Sequence, residues 1–320
     1  MVVQISYNGG KYRSLDNNEA ADKFKRAQDF ADMWWDEDAF KTYFELAQKN
    51  YPPAVYKVGL AYYYGEGVEP CNSAAFEMFK KASELGYAPA HTKLGACYLS
   101  GIGTEKNMRK AYSAYLKGAK ANEQQSMLNL SHHLYLGWGC KQNKKLANKW
   151  LKKLVDMGNP EAMLFYARKL FYAIDMPRDK EKAIEMFKKA AEGGNTAAML
   201  QLGDMYRWGD GVEKDLRKSF HLIHEALRKG DSDAYVPFAE AYENGFGVEK
   251  NIQKAVHIYE IAAQHNDPEG QLRYADYLYD GKEINKDVES AHQYYREAAQ
   301  HGNETAVTRL QELFNEEYTV

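Results

Sequence analysis

The histidines His221 and His224 lie one helical turn apart with Glu225 adjacent, the start of a metal-binding arrangement. Zinc takes three or four ligands, so a pair alone does not hold it. The residues one or two 36-residue steps away from them are Glu185, Lys188, Lys152 and Gln293. Those types mark an outer, solvated face, and no metal or other cofactor is expected. Gly65-Glu66-Gly67, Gly101-Ile102-Gly103 and Gly245-Phe246-Gly247 resemble pieces of a phosphate-binding loop. They follow helical segments, and neither a third spaced glycine nor Gly-Lys-Ser accompanies them, so they are expected to end helices. The cysteines Cys71, Cys97 and Cys140 are too few and too scattered for a disulfide framework. Of the pair His132-His133, His132 occupies a position suited to touching a partner.

These residues are positioned by a repeat. Blocks of 36 residues begin at Ala54, Ala90, Ser126, Ala162, Ala198, Ala234 and Gly270, with an eighth start at Ala306 and no insertion between them. A fixed period in this range means stacked supersecondary units, a class that usually binds other molecules. Net charge is −3 over 320 residues, and this balance argues against nucleic acid as a partner. No apolar stretch approaches a membrane span. The first residues lack a basic segment followed by an apolar run, so a cytoplasmic location is expected, with secretion by another route left open.

One repeat shows how two helices arise. Ala198, Leu202, Gly203 and Tyr206 form one helical face. Gly209 and Gly211 stop that helix, and Asp215 caps a second. The second core face holds Ser219, Leu222, Ile223, Ala226 and Leu227, and Gly230 ends it. Small residues recur where helices approach closely: Gly59, Gly95, Ser131, Ala167, Gly203, Ala239 and Ala275 in the first helix. In the second they are Ala82, Gly118, Ala190, Ala226, Ala262 and Ala298, with Leu154 the exception.

With Leu202-Gly203, Tyr206, Gly209, Gly211-Val212 and Asp215 in one copy, the chain resembles the Sel-1-like repeat family, relatives of the tetratricopeptide repeat. Gly245, Gly247-Val248, Asn251, Ala255, Tyr259 and Ala262-Ala263 carry the same pattern in the next. The resemblance implies an all-α, right-handed α/α superhelix of stacked antiparallel helix pairs that serves as a non-catalytic protein scaffold or adaptor. The expected organisation is a tail over 1–16, a degenerate leading repeat over 17–53, seven repeats over 54–305 and a capping helix over 306–320. The fourth repeat departs from the pattern, because Ala173-Ile174-Asp175-Met176-Pro177 replaces the glycine turn. A turn of another shape is expected there. A cysteine-rich bacterial branch of the family is associated with β-lactam chemistry. Its Ser-x-x-Lys and Lys-Thr-Gly strings are missing here, so a cell-wall or β-lactam hydrolase is the disfavoured alternative.

By analogy with tetratricopeptide units, the first helix of each pair lines a concave groove. Its third, seventh, tenth and eleventh residues then face a ligand. They include Tyr63, Tyr64, His132, Tyr135, Arg168, Phe171 and Tyr172. Farther along come Arg207, Trp208, Glu240, Glu243, Asp276 and Tyr279. Aromatic anchors give way to carboxylates along the chain, which suits an extended or helical protein segment with a basic stretch. A secreted factor engaging host or neighbouring-cell proteins is a second reading. The oligomeric state stays open, and the apolar carboxy-terminal residue Val320 is a minor candidate for tail capture.

Overall fold

The computed structural model describes residues 17–33 and 36–316. The tail over 1–16 and the ending Glu317–Val320 lie outside the described residues. Among those described there are seventeen α-helices and no strand. The chain divides into two compact bodies, one ending at Leu154 and one beginning at Val155.

The first body holds α1 (Asn17–Asp32), α2 (Asp36–Gln48), α3 (Pro52–Tyr64), α4 (Asn72–Glu84), α5 (Ala88–Ser100), α6 (Met108–Lys120) and α7 (Gln124–Leu136), and most of α8 (Lys144–Asp156). The second holds α9 (Pro160–Phe171), α10 (Lys180–Glu192), α11 (Thr196–Trp208), α12 (Leu216–Arg228), α13 (Tyr235–Asn244), α14 (Ile252–Gln264), α15 (Pro268–Asp280), α16 (Val288–Gln300) and α17 (Glu304–Phe314). Within each body consecutive helices pack as pairs, and each pair packs on the next, as in a solenoid.

The ends of the helices explain their uniform length. First helices stop at a left-handed glycine, for example Gly65 at φ 80° and Gly209 at φ 74°, a conformation glycine adopts without penalty. Second helices start at a side-chain cap: Asn107, Asp179, Asp215, Asn251 and Asp287 each accept a backbone N–H three residues on. Cys71 holds this position in the first repeat and makes no cap bond.

The expectation of a different turn in the fourth repeat is corrected. Ala173 and Asp175 take φ 56° and 58°, matching Gly65 and Gly67 at 80° and 67°. The Ile174 N–H reaches the Lys169 carbonyl at 2.9 Å, as the Glu66 N–H reaches Ala61 at 3.1 Å. The chain keeps the turn and accepts left-handed non-glycine residues. The sixth repeat does differ: its first helix opens as a 3₁₀ turn, Ser232–Ala234. Pro237 lacks the N–H that would bond back to residue 233, so a regular first turn cannot close.

Close approach follows the small residues. A Cβ on Gly95 would fall 2.4 Å from the Tyr115 ring, and one on Gly59 2.7 Å from Phe79. Between repeats, a Cβ on Gly118 would fall 2.1 Å from Ser126 Oγ, and one on Gly270 2.5 Å from Ala262 Cβ. Ala82, Ala190, Ala226, Ala262 and Ala298 are fully buried.

Candidate functional site

Each first helix delivers its last residues to the same place in its repeat. The eleventh residue directly precedes the turn, so its side chain leaves the helix end instead of entering the core. Tyr64 is 57% exposed, Leu136 49%, Tyr172 56% and Trp208 68%. Ser100, Asn244 and Asp280 complete the row and are exposed as well.

The tenth residues are more embedded. Tyr63 meets Tyr64 edge-on at 4.8 Å, and Lys93 lies over both rings at 5.5 and 5.4 Å. Lys93 also donates to the Tyr64 hydroxyl at 3.2 Å. Tyr135 is half-buried under Lys144, 5.0 Å from its ring centre. Tyr279 lies under Lys286 at 4.9 Å and meets Phe314 at 5.9 Å. Phe171 is only 4% exposed and packs on Phe187 at 6.1 Å, so it belongs to the core and not to the exposed row. His132 and Arg168, seventh residues of their repeats, are half-buried on their helices.

The carboxylates of the later repeats are engaged by their own chain. Glu240 accepts from Arg207 Nη1 at 2.7 Å and lies 3.8 Å from Arg273 Nη2. Glu243 accepts from the hydroxyls of Tyr259 at 3.0 Å and Tyr277 at 2.6 Å. Asp276 accepts from the Tyr295 hydroxyl at 2.7 Å and pairs with Arg309 Nε at 3.4 Å. Burial first, then the Glu243 carboxylate, pushes the Tyr259 and Tyr277 hydroxyls well above the usual phenol range, so both stay protonated donors. The Arg207 guanidinium stacks over Trp208 at 4.9 Å and Phe246 at 4.6 Å. Arg207, Trp208 and Glu240 therefore form one cluster, steadied from beneath by Arg273.

The sequence reading missed Arg273, Arg309, Tyr259, Tyr277 and Tyr295. A signal existed: Arg273 and Arg309 each follow their carboxylate partner by 33 residues, one repeat on and one helical turn back. Of the histidines singled out, His224 stacks on Phe238 at 5.4 Å, while His221 is exposed. Among the described residues, no three His, Cys, Asp or Glu gather as a metal-binding group.

A recess recurs between second helices. Near α10 and α12 it is lined by Lys188, Leu202, Tyr206, Lys218 and Leu222. Three periods upstream, beside α4 and α6, the matching residues are Lys80, Leu94, Tyr98, Lys110 and Ala114. Both are open troughs over a Leu-Tyr floor.

The family model for the Sel1 repeat matches residues 52–87, 88–123, 124–159, 160–195, 196–231, 239–267 and 268–303. Between the first and last matches only residues 232–238 are skipped, the segment of the 3₁₀ turn and Pro237. A protective antigen of uropathogenic Escherichia coli with an SLR fold is 26% identical, with a TM-score of 0.68 over 87% of this chain. This chain spans 60% of that protein's length. A Sel1 repeat protein from Oxalobacter formigenes is 24% identical, with a TM-score of 0.70 over 77% of this chain and 99% of its own. Among curated proteins none matches.

Proposed function

We propose that this chain, which belongs to the Sel1 repeat family, is a protein-binding scaffold that grips a partner segment along the ends of its first helices. Proteins of this family are generally protein-interaction scaffolds and generally non-catalytic. The observation that carries the assignment is Trp208, 68% exposed with Arg207 stacked on it. Tryptophan and arginine are the side chains most often found at binding hot spots. A ring this exposed contributes little to the core, and covering it would remove a large apolar area from water.

In the second body the surface is Tyr172, Trp208 and Arg207. In the first it is Tyr64 with Lys93, Leu136, and the half-buried Tyr135. The ligand is an extended or helical protein segment. Asp280, the acid of the exposed row, accepts from Lys282 Nζ at 3.0 Å, and Glu240, Glu243 and Asp276 hold the surface in shape. The cysteines Cys71, Cys97 and Cys140 form no disulfide with one another. No described helix is long and apolar enough to cross a membrane.

The test is capture from source-cell lysate by the native chain and by a Tyr172→Ala, Trp208→Ala variant of unchanged helicity. A protein held by the first and lost by the second supports the assignment. Equal capture by both sinks it.

A further inference from the structure

The net charge of −3 hides a division. Residues 1–154 carry 22 Lys and Arg against 15 Asp and Glu, and residues 155–320 carry 20 against 30. The positive charge is concentrated further: residues 106–153 hold eleven Lys and Arg and a single acid, Glu123. All eleven are exposed. The Glu123 carboxylate is turned inward as a helix cap, accepting the N–H of Gln125 and Ser126 and the Thr92 hydroxyl. Glu123 is thereby taken up by the backbone and Thr92, and the nearest flanking acids are Glu105 and Asp156.

The local structure gathers these charges on one surface. They lie on α6, on α8 and in the turns leading into them, one repeat apart. At one end Gly139 lies so close to α6 that a Cβ there would fall 2.0 Å from the Met108 carbonyl. At the other, Lys153 Nζ donates to Asn122 Oδ1 at 2.8 Å. The turn before α8 thus lies against the start of α6, and Lys153 of α8 reaches the residue two past the end of α6. The end marked by Gly139 also exposes three large apolar side chains: Met108 at 41%, Trp138 at 44% and Leu146 at 36%. Lys106, Arg109, Lys110, Lys141, Lys144 and Lys145 flank them in sequence.

The chemistry selects a partner. Ten of the eleven cations are lysines, strongly hydrated point charges without the planar fork that reads a carboxylate, phosphate or base in fixed geometry. Such a field suits a diffuse anionic surface. A tryptophan with neighbouring aliphatic side chains inside a lysine ring suits the headgroup layer, where the apolar parts enter and the ammonium groups stay wet. We propose that this edge of α6 and α8 docks on an anionic lipid bilayer, lysines on the headgroups and Trp138, Met108 and Leu146 inserted between them.

The full chain is sedimented with phosphatidylcholine vesicles and with vesicles in which about a third of the lipid is phosphatidylglycerol. Binding at least about tenfold stronger to the anionic vesicles is expected, with release in about 0.5 M salt. A Lys141→Glu, Lys145→Glu, Lys149→Glu variant of native helicity should lose that preference. Met108→Ala with Leu146→Ala should weaken binding about threefold or more while the lysines remain. Equal binding to both vesicle types, no binding to either, or anionic binding untouched by the charge reversal overturns the proposal. So does displacement by a duplex oligonucleotide at equal phosphate, which would make the patch a nucleic-acid site.

Discussion

His91 and His133 sit where an imidazolium is poorly accommodated. His91 is 8% exposed, with Ser83 Oγ 2.7 Å from its Nδ1, and burial followed by the charge of Lys117 lowers its pKa against a smaller opposing effect of Glu123. His133 is 2% exposed and meets the Tyr115 ring at 5.0 Å, and burial lowers its pKa against the opposing hydrogen bond to the Trp138 carbonyl, with a smaller downward push from His132. Its Nδ1 must carry the proton, because the group 2.9 Å away is the Trp138 carbonyl, and Nε2 is buried without a partner. Both folded values therefore lie below the ordinary 6.5. Above that pH both histidines are neutral in either state and their environment is fully stabilising. Below it the unfolded chain binds protons first, so stability falls as pH drops towards the lowered folded values. The slope is at most about 1.4 kcal/mol per pH unit for each proton. Urea midpoints should fall between pH 7.5 and 5, and fall less steeply in a His91→Gln, His133→Phe variant. Parallel slopes would remove these two residues from the explanation. The carboxylates show what was illegible at this scale. Glu243 reads as a free groove charge until Tyr259 and Tyr277, 16 and 34 residues on, are folded against it. Phe171 shares its repeat position with Tyr135 and Tyr279, yet here the helix packing takes the ring inward.

At the scale of elements, the turn of the fourth repeat shows packing overriding local preference. Asp179 must still enter α10 with its N–H on the Leu170 carbonyl, at 3.1 Å, as Asp215 does on Tyr206 at 2.8 Å. That requirement fixes where the chain leaves α9 and reaches α10, and the left-handed pair of residues is the route the other repeats use. Asp175 tolerates its φ of 58° better than alanine would, and it gains an ion pair with Lys169 at 3.7 Å. Ala173 has no such compensation and costs about 1 kcal/mol in this conformation. Ala173→Gly should raise the melting temperature by roughly 2–4 °C without changing the helical signal. An unchanged or lower melting temperature would show that alanine is unstrained there. Helices and their caps were legible because Gly, Asn and Asp mark ends by backbone chemistry alone. The shape of this turn was not, because neighbouring helices dictate it.

For the whole molecule, the period was the most legible feature, since small residues recur wherever one repeat presses on the next. The charge division was equally present in the sequence, and averaging concealed it. Stacked repeats also imply something about stability: each repeat touches only its neighbours, so a defect should stay local. Ala262 is fully buried, and Gly270 is close enough that a Cβ there would lie 2.5 Å from the Ala262 methyl. Leucine at 262 has no space to enter and should destabilise that junction by about 1–3 kcal/mol. In Ala262→Leu, amide exchange should accelerate in α14, α15 and α16, and α3 to α6 should keep their protection. Exchange that accelerates equally throughout would mean the chain opens as one cooperative block, and the additive picture of its repeats would fail. Local acceleration would mean that each stretch of first-helix surface can loosen to admit a partner while distant repeats stay folded. That property would let Tyr64 and Trp208 act as separate anchors.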